Sequence, residues 1–381
     1  MARSVTFDGL FLTGPLRNTG KGRYLANLLS QIEKLTRESG QLISRILVPP
    51  NTSGEACGLA PRKGFELIHT RPMLLRRIWR RGLSTIVAKA MGFEVFFVAE
   101  AVPILAKPRR LVATLHDVEA NLFAHEFRSA RNRIERWATV SHARRADLIF
   151  TSSEYSKNAI VSLWNVPPDR IVVAYLGVDL GHFKSDRLPP SERGVLAARY
   201  GLNHEYILYV GAVERKKNLA RLIRAHRCLR QRRKDFDFDL VLCGRPGEGY
   251  LEIAKLCEEA RPRDRPIFAG CVPDHDLTLL YRGATCLAMP SFHEGFCLPV
   301  VEAMACGIPV ISSNRSCLPE IGGGAALYFD PESEEEMGAV LETILSNSAL
   351  RQELSRHGIE RAANFSWEAC AKTTLAALKQ L

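Results

Sequence analysis

The chain has 381 residues, more than a single hydrophobic core usually holds, so two domains are the default expectation. Its apolar fraction of 46% and charged fraction of 24% are typical of globular proteins, and no apolar run is long enough to span a bilayer. The net charge of +11 favours an anionic partner: nucleic acid, a phosphorylated metabolite or an acidic membrane surface. The ten cysteines form no CxxC pair and the N-terminus is too polar for a secretory signal, which predicts a cytoplasmic protein without a zinc site.

Apolar, β-rich segments alternate with segments of helical period along almost the whole chain. VTFDGLFL precedes a helix predicted over GRYLANLLSQIEKL, and a stretch rich in Gly, Pro and Ser, LGVDLGHFKSDRLPPSERG, predicts a domain boundary. The alternation then restarts at YILYVGAV. The predicted fold class is therefore α/β, with two doubly wound, Rossmann-like domains, parallel sheets and a cleft between them. Ligands of such sheets bind at the carboxyl ends of strands.

The densest basic stretch is RPMLLRRIWRRGLSTIVAKA, residues 71–90. At helical spacing its arginines flank an apolar stripe that contains Trp79, a pattern typical of a helix lying on anionic lipid. A peripheral position at the inner face of the membrane is one prediction, and an ordinary surface helix is an equally good interpretation. Nucleic acid is not favoured as a partner, because no recognised module signature accompanies the charge.

Two segments of the first half place polar groups after predicted strands. LTGPLRNTGKGRYL brings Gly20 and Gly22 to a helix start, where backbone amides can approach an anion, although a simple turn is an alternative. LVATLHD places His116 and Asp117 at the carboxyl edge of a strand, as a catalytic pair or as a turn bonded to local backbone.

Two segments of the second half carry clustered charges. In YVGAVERKKN, Lys216 and Lys217 follow a strand and could neutralise a diphosphate, or could form a solvated basic loop. The Asp-x-Asp spacing in DFDFDL precedes its strand instead of following it, so these acids lie at the amino edge and are not interpreted as a metal site.

The stretch SFHEGFCLPVVEAMACGIPV, residues 291–310, contains Glu294 in a loop and Glu302 in a short predicted helix. Pro299 suits the first turn of that helix, and the amides of residues 296–298 would form an anion site at its N-terminus. Amide donors beside two carboxylates suit a nucleotide sugar, which carries both phosphates and hydroxyls. A loop acid and a helix acid without function are the alternative.

This stretch and its continuation, HEGFCLPVVEAMACGIPVISSNRSCLPEIGGGAALYFDP, resemble the donor-binding segment of the family-four retaining glycosyltransferases, which have GT-B architecture. TGKGRYLANLL, ATLHD, TSSEYSKNAI, YVGAVERKKNLARLI and VPDHDLTLLYRGATCLAMPS resemble other segments of the family in the same order. The resemblance implies an acceptor-side domain over residues 1–180 and a nucleotide-sugar-binding domain over 181–363. Residues 364–381 would form a terminal helix that returns to the first domain.

The resemblance also implies a role for each matched position. Glu302 would accept hydrogen bonds from the nucleotide ribose, Glu294 would hold hydroxyls of the transferred sugar, and Lys217 would pair with the diphosphate. His116 would contact the sugar, Asp117 would orient the acceptor, and the segment around Val272 would contact the base. The expected catalytic residues are His116, Asp117, Lys217 and Glu294, and the expected donor-binding residues are Gly20, Gly22, Lys216, Lys217, Val272, Glu294, Gly295, Phe296, Cys297, Leu298 and Glu302.

Three positions depart from the family pattern, and one of them, Gly324 in place of a frequent aspartate, is expected to be a structural change only. Cys297 stands where relatives carry glycine, which would tighten the pocket or require a changed backbone angle. Lys216 stands where relatives carry arginine and lacks bidentate capacity for phosphate.

The function expected from the resemblance is transfer of a hexosyl group, with mannosyl favoured, from a nucleoside diphosphate sugar to a glycan or lipid-linked acceptor. Retention at the anomeric carbon, a place in polysaccharide or lipopolysaccharide biosynthesis, and no metal or other cofactor are part of this expectation. The alternatives are a catalytically weak nucleotide-sugar-binding protein and a GT-B-shaped sugar-nucleotide epimerase or phosphorylase.

Overall fold

Contacts divide the chain into two compact units, Met1–Gly177 with Ser366–Leu381, and Val178–Phe365. The domain boundaries expected from sequence, at 180/181 and 363/364, stay predictions of where independent domains begin. The computed structural model describes residues 3–13, 17, 19–36, 42–48, 65–69, 82–116, 118, 130–186, 188–233 and 235–381.

The first unit is built on a seven-stranded parallel sheet in the order β3-β2-β1-β4-β5-β6-β7. Its strands are β1 (Arg3–Asp8), β2 (Leu42–Val48), β3 (Phe65–His69), β4 (Val95–Val98), β5 (Leu111–Thr114), β6 (Leu148–Thr151) and β7 (Ile171–Val173). Its helices before the second unit are α1 (Gly20–Thr36), α2 (Ser84–Ala90), α3 (Ala130–Arg145) and α4 (Glu154–Trp164). The strand order reverses between β1 and β4, the kind of position where doubly wound sheets open a ligand crevice.

The second unit contains a six-stranded parallel sheet in the order β10-β9-β8-β11-β12-β13. Its strands are β8 (Glu205–Val210), β9 (Phe238–Cys243), β10 (Ile267–Gly270), β11 (Cys286–Met289), β12 (Val310–Ser313) and β13 (Ala326–Phe329). Its helices are α5 (Pro190–Tyr200), α6 (Leu219–Arg232), α7 (Tyr250–Glu258), α8 (Asp274–Gly283), α9 (Leu298–Ala305), α10 (Leu318–Gly322), α11 (Glu334–Ser346) and α12 (Ser348–Ala362). The predicted α/β fold class with two parallel sheets is confirmed.

The last helix, α13 (Trp367–Gln380), follows the second unit in the chain and packs against α1 of the first. Its buried residues recur at helical spacing, and the Trp367 ring lies 6.4 Å from the Tyr24 ring of α1, centroid to centroid. Ser366 caps the helix by accepting a hydrogen bond from the amide of Ala369. The first unit is therefore completed by residues from the far end of the chain.

The first strand is shorter than the apolar run VTFDGLFL suggests. It ends at Asp8, whose carboxylate accepts a hydrogen bond from the amide of Leu10, and residues 9–12 form a turn of 3₁₀ helix. A side-chain cap thus stops a segment whose apolar composition would let it continue as a strand.

Residues 71–81 of the basic stretch lie outside the described ranges, and its last residues form α2. The membrane-surface prediction, which depends on the arginines of that stretch, therefore stays a prediction. Among the described residues, no helix combines the length and apolar character needed to cross a membrane.

Candidate functional site

The loops that follow β8 and β11 meet because these two strands are neighbours in the second sheet. The first loop forms a 3₁₀ turn over Arg215–Lys217, and the second carries Glu294. The Lys217 ammonium donates a hydrogen bond to Glu294 Oε1 at 2.6 Å, and the two side chains are only 14% and 13% exposed. Two residues 77 positions apart in sequence thus form a nearly buried ion pair at the carboxyl edge of the sheet.

Glu294 is held at both its side chain and its backbone. The Ser291 hydroxyl donates to Oε1 at 2.7 Å, so Ser291 and Lys217 share the same carboxylate oxygen. The amide of Glu294 donates to Ser316 Oγ at 3.0 Å, and the Cys317 thiol donates to its carbonyl at 3.1 Å. Among the described residues no hydrogen bond reaches Oε2, which leaves that oxygen available to a hydroxyl.

Asn218 fixes the lysine-bearing loop to its neighbours. It is buried in a left-handed conformation with φ 56°, and its side-chain amide donates to the carbonyls of Pro290 at 3.2 Å and Pro331 at 2.7 Å. The carbonyl of Lys216 accepts from the amide of Phe292 at 3.3 Å. One side chain therefore joins the loops after β8, β11 and β13.

Cys297 occupies the N-terminal end of α9 with φ 75° and ψ 71°. This left-handed conformation is the one glycine adopts at no steric cost, so the departure from the family pattern changes the side chain and not the backbone region. Burial raises the pKa of the Cys297 thiol well above its ordinary value, and nearby Glu294 raises it further. The thiol is therefore protonated at neutral pH and adds volume without charge.

The residues on either side of Cys297 complete the turn. Phe296 is buried with its ring edge-on to Phe365 at 5.5 Å, Gly295 is half-buried, and Leu298 begins α9. Pro299 lies in the first helical turn as the sequence predicts. The amides of this turn therefore lie at the positive end of a helix. The turn follows Glu294 directly in sequence, and Cys297 interacts electrostatically with both Glu294 and Lys217.

Glu302 lies further along α9 and is almost fully buried, with 2% of its surface exposed. Its Oε2 accepts a hydrogen bond of 3.0 Å from the hydroxyl of Tyr281, a fully buried residue of α8. A buried carboxylate requires such a donor to offset its lost hydration. Val272, expected near the base, is half-buried in the loop after the edge strand β10.

In the first unit, Gly20 and Gly22 lie in the first turn of α1 and not in the preceding loop. Thr19 caps this turn, since its hydroxyl accepts from the amide of Gly22 at 3.3 Å. A Cβ added to Gly20 would meet no atom within 4 Å among the residues that the structure describes. Lys21 forms an ion pair with Glu100, a buried carboxylate beyond the end of β4.

His116 lies two residues beyond β5, as predicted for a residue at the carboxyl edge. Its ring stands edge-on to that of Tyr24 at 4.4 Å, and the Tyr24 hydroxyl lies 3.3 Å from Thr114 Oγ1. Burial raises the pKa of Tyr24 above its ordinary value, so its hydroxyl stays protonated. Asp117, its predicted partner, lies outside the described residues.

Sequence reasoning did not identify Glu100, Asn218, Tyr281 or Ser316. For Glu100 a signal was present, since it is an acid in the apolar run VFFVAEAVP directly after a strand. Tyr281 and Ser316 are hydrogen-bond partners of the predicted residues Glu302 and Glu294. Asn218 follows the predicted Lys217 and bonds to the carbonyls of two other loops. In the described ranges, no group of three or more His, Cys, Asp or Glu is arranged to hold a metal ion.

Comparison with known proteins identifies the class. WaaG, described as a glycosyltransferase involved in lipopolysaccharide biosynthesis, matches 97% of this chain and 98% of its own with a TM-score of 0.73 at 18% identity. HepE of Anabaena, solved in complex with UDP-glucose, matches the full length of both chains with a TM-score of 0.74 at 18% identity. The two Rossmann-like units therefore have the fold of the GT-B glycosyltransferases.

The family follows from sequence similarity. The profile described as "Glycosyl transferases group 1" matches residues 199–361, and "Glycosyltransferase Family 4" matches residues 39–182. The O-antigen chain mannosyltransferase B of Escherichia coli is 34% identical over 277 residues, which are 71% of this chain and 71% of that protein. The chain belongs to the family-four glycosyltransferases, as the resemblance of its motifs predicts, and is a glycosyltransferase.

Proposed function

We propose that this protein transfers a mannosyl group from a nucleoside diphosphate mannose to a hydroxyl of a glycan or lipid-linked acceptor in polysaccharide biosynthesis, with retention at the anomeric carbon. The observation that carries the proposal is the Lys217–Glu294 pair, which brings a cation and a carboxylate together at the edge of β8 and β11. The choice of mannose is supported by the 34% identity to an O-antigen mannosyltransferase.

Each group of the site has a part in the proposed reaction. Glu294 binds sugar hydroxyls and Glu302 binds the ribose, while Lys217, Lys216 and the amides of residues 296–298 face the diphosphate. Cleavage of the glycosyl–phosphate bond places growing negative charge on that diphosphate, and fixed cations and amide dipoles stabilise it without reorganisation. In the first unit, Gly20 and Gly22 also face the diphosphate, His116 contacts the sugar, and Asp117 orients the acceptor.

The acceptor hydroxyl attacks the anomeric carbon from the face that the diphosphate leaves. The departing phosphate oxygen takes the hydroxyl proton, so that the new glycosidic bond forms as the old one breaks. No side-chain nucleophile is needed for this route. Because side chains supply the positive charge, transfer is expected to persist in excess chelator, and strict dependence on a divalent cation would contradict this part of the proposal.

The test is transfer of labelled sugar from a panel of GDP-, UDP-, ADP- and TDP-sugars to a mannose-containing glycan acceptor. With the active donor, Glu294→Ala is expected to lower kcat/KM by about 100-fold or more, because it removes the sugar contact and leaves Lys217 without its carboxylate. Anomeric configuration of the product, read by NMR, tests retention.

Glu252→Ala is the matched control. Glu252 also forms an ion pair with a cation of the loop after β8, Arg215, but both side chains are about two-thirds exposed, at 65% and 64%. An exposed pair of this kind contributes little, so kcat/KM should stay within about twofold of wild type. Equal effects of the two substitutions, or full activity of Glu294→Ala, would refute the assignment of the donor site.

A further inference from the structure

Tyr281 contacts Glu302, the residue proposed to bind the ribose, and contacts on several sides hold the helix that carries Tyr281. Its hydroxyl donates to Glu302 Oε2 at 3.0 Å, and both residues are excluded from solvent. This contact joins α8 to α9 across 21 positions of sequence, so the carboxylate has a donor that its own helix does not supply.

The helix that carries Tyr281 is held by the segment that begins the second unit. The Phe183 ring stands edge-on to the Tyr281 ring at 5.9 Å. One residue further on, the Arg282 guanidinium donates to the carbonyl of Asp186 at 2.7 Å, and one turn earlier Thr278 Oγ1 shares a hydrogen bond of 2.9 Å with His182 Nε2. Contacts before, at and after Tyr281 therefore restrict the rotation of α8 and the direction of the phenol.

A carboxylate that binds two vicinal hydroxyls must present its oxygens at a fixed angle. A hydrogen bond from a buried phenol to one oxygen of a buried carboxylate restricts its rotamers and directs its other oxygen. Without the phenol, Glu302 would lose a charge-assisted hydrogen bond in a buried setting and would turn toward other donors.

We infer that Tyr281 is a positioning residue for ribose recognition: it holds Glu302 in the orientation that accepts hydrogen bonds from the ribose hydroxyls of the nucleotide. The inference rests on the proposed function, in which Glu302 binds the ribose. It adds that discrimination of the ribose depends on a residue that does not itself contact the nucleotide.

The experiment compares binding of GDP and UDP with that of their 2′,3′-dideoxy counterparts, by calorimetry, for wild type, Tyr281→Phe and Glu302→Gln. Wild type is expected to prefer the ribonucleotide by about tenfold or more, the value of one good hydrogen bond to a charged group. Tyr281→Phe should reduce this preference by about fivefold, mostly through weaker ribonucleotide binding, and Glu302→Gln should abolish it. In turnover, Tyr281→Phe should raise the donor KM several-fold and leave kcat within about twofold.

Tyr206→Phe is the matched control. The Tyr206 hydroxyl is also buried and also bonds to α8, donating to the carbonyl of Leu280 at 2.8 Å, but it does not touch Glu302. A similar loss of thermal stability with an unchanged ribonucleotide preference is expected. If Tyr281→Phe keeps the ribonucleotide preference as Tyr206→Phe does, the positioning role is wrong although nucleotide binding is unaffected. If wild type binds neither GDP nor UDP, the proposed function is wrong and this inference is wrong with it.

Discussion

Cys297 combines two features that are seldom found in one residue, a left-handed backbone and a buried thiol. Placing an L residue in the left-handed region destabilises the folded state by about 1–2 kcal/mol, and burial of a small apolar group stabilises it by a comparable amount. The two effects can be separated by substitution. Alanine at position 297 retains the backbone strain and removes the buried sulfur, whereas glycine removes both the strain and the sulfur.

We therefore expect Cys297→Gly to be more stable than Cys297→Ala by about 1 kcal/mol, the reverse of the usual order. Thermal melts or urea titrations of the two variants measure the difference. Cys286, fully buried in the extended backbone of β11, is the control: there the glycine variant should be the less stable one by about 0.5–1 kcal/mol. If the glycine variant were less stable than the alanine variant at Cys297 as well as at Cys286, the left-handed conformation at Cys297 would carry no strain.

At the scale of elements, the candidate site depends on how three loops at the carboxyl edge of one sheet are joined. The Asn218 amide connects the loop after β8 to the carbonyls before Ser291 and after β13. These two bonds span 72 and 113 positions of sequence, so each closes a long loop of the second unit.

Asn218→Asp keeps the size of the side chain and its tolerance of the left-handed region, but it removes both N–H donors and places a negative charge against two carbonyls. We expect a loss of about 2–3 kcal/mol in the free energy of unfolding and weaker nucleotide binding, since Lys217 is the preceding residue. Denaturant titration and calorimetry measure the two effects.

Asn165→Asp provides the comparison, because Asn165 is also left-handed, with φ 52°, but is exposed at the end of α4. Little change in stability is expected there. A similar loss at both sites would mean that the interloop bonds of Asn218 do not matter.

Elements with a strong period could be predicted from sequence, and short or interrupted ones could not. Helices α1 and α6 show apolar residues on one face over many turns, and both are found. Strand β3 lies at the sheet edge with no fully buried residue and so lacks the apolar run of the inner strands, and β7 has only three residues; the sequence predicts neither. Helix α5 begins at Pro190 within a stretch that reads as a linker, because proline is favoured in a first helical turn as well as in loops.

In the candidate site, too, some residues could be predicted from the sequence and others could not. Glu294, Glu302 and Lys217 stand in recognisable motifs, and the structure shows what each of the three bonds to. Their partners Ser316 and Tyr281, and the interloop contacts of Asn218, could not be assigned from one sequence, because a hydrogen bond between distant residues leaves no local pattern. The roles of all these residues toward a ligand stay predictions.

At the scale of the whole molecule, each unit contains a deeply buried histidine whose charging opposes folding, His142 in the first unit and His226 in the second. Burial lowers the pKa of His142 in the first unit to about 4, and it lowers the pKa of His226 in the second unit to about 4. Both are neutral when folded near pH 6, whereas the unfolded chain begins to protonate them below about pH 6.5.

The free energy of unfolding should therefore fall as pH falls from about 6.5 to 4, because the unfolded state binds protons that the folded state does not. Each histidine contributes about 3 kcal/mol over this window. His226→Gln can keep the hydrogen bond to the carbonyl of Phe238. This substitution should reduce the pH dependence of the free energy of unfolding of the second unit. A profile of His226→Gln identical to that of wild type would contradict this account.

The return of α13 to the first unit affects the order in which the two units can be completed during synthesis. All of the second unit, through Phe365, leaves the ribosome before residues 366–380 do, and domains generally fold as units once their residues are available. The second unit can therefore reach its native state while the first unit, whose synthesis began earlier, still exposes the apolar face of α1. Until Trp367 and the residues after it emerge, that apolar face stays uncovered by α13, and a translation stop near residue 365 would release a chain whose second unit is complete and whose first unit is not.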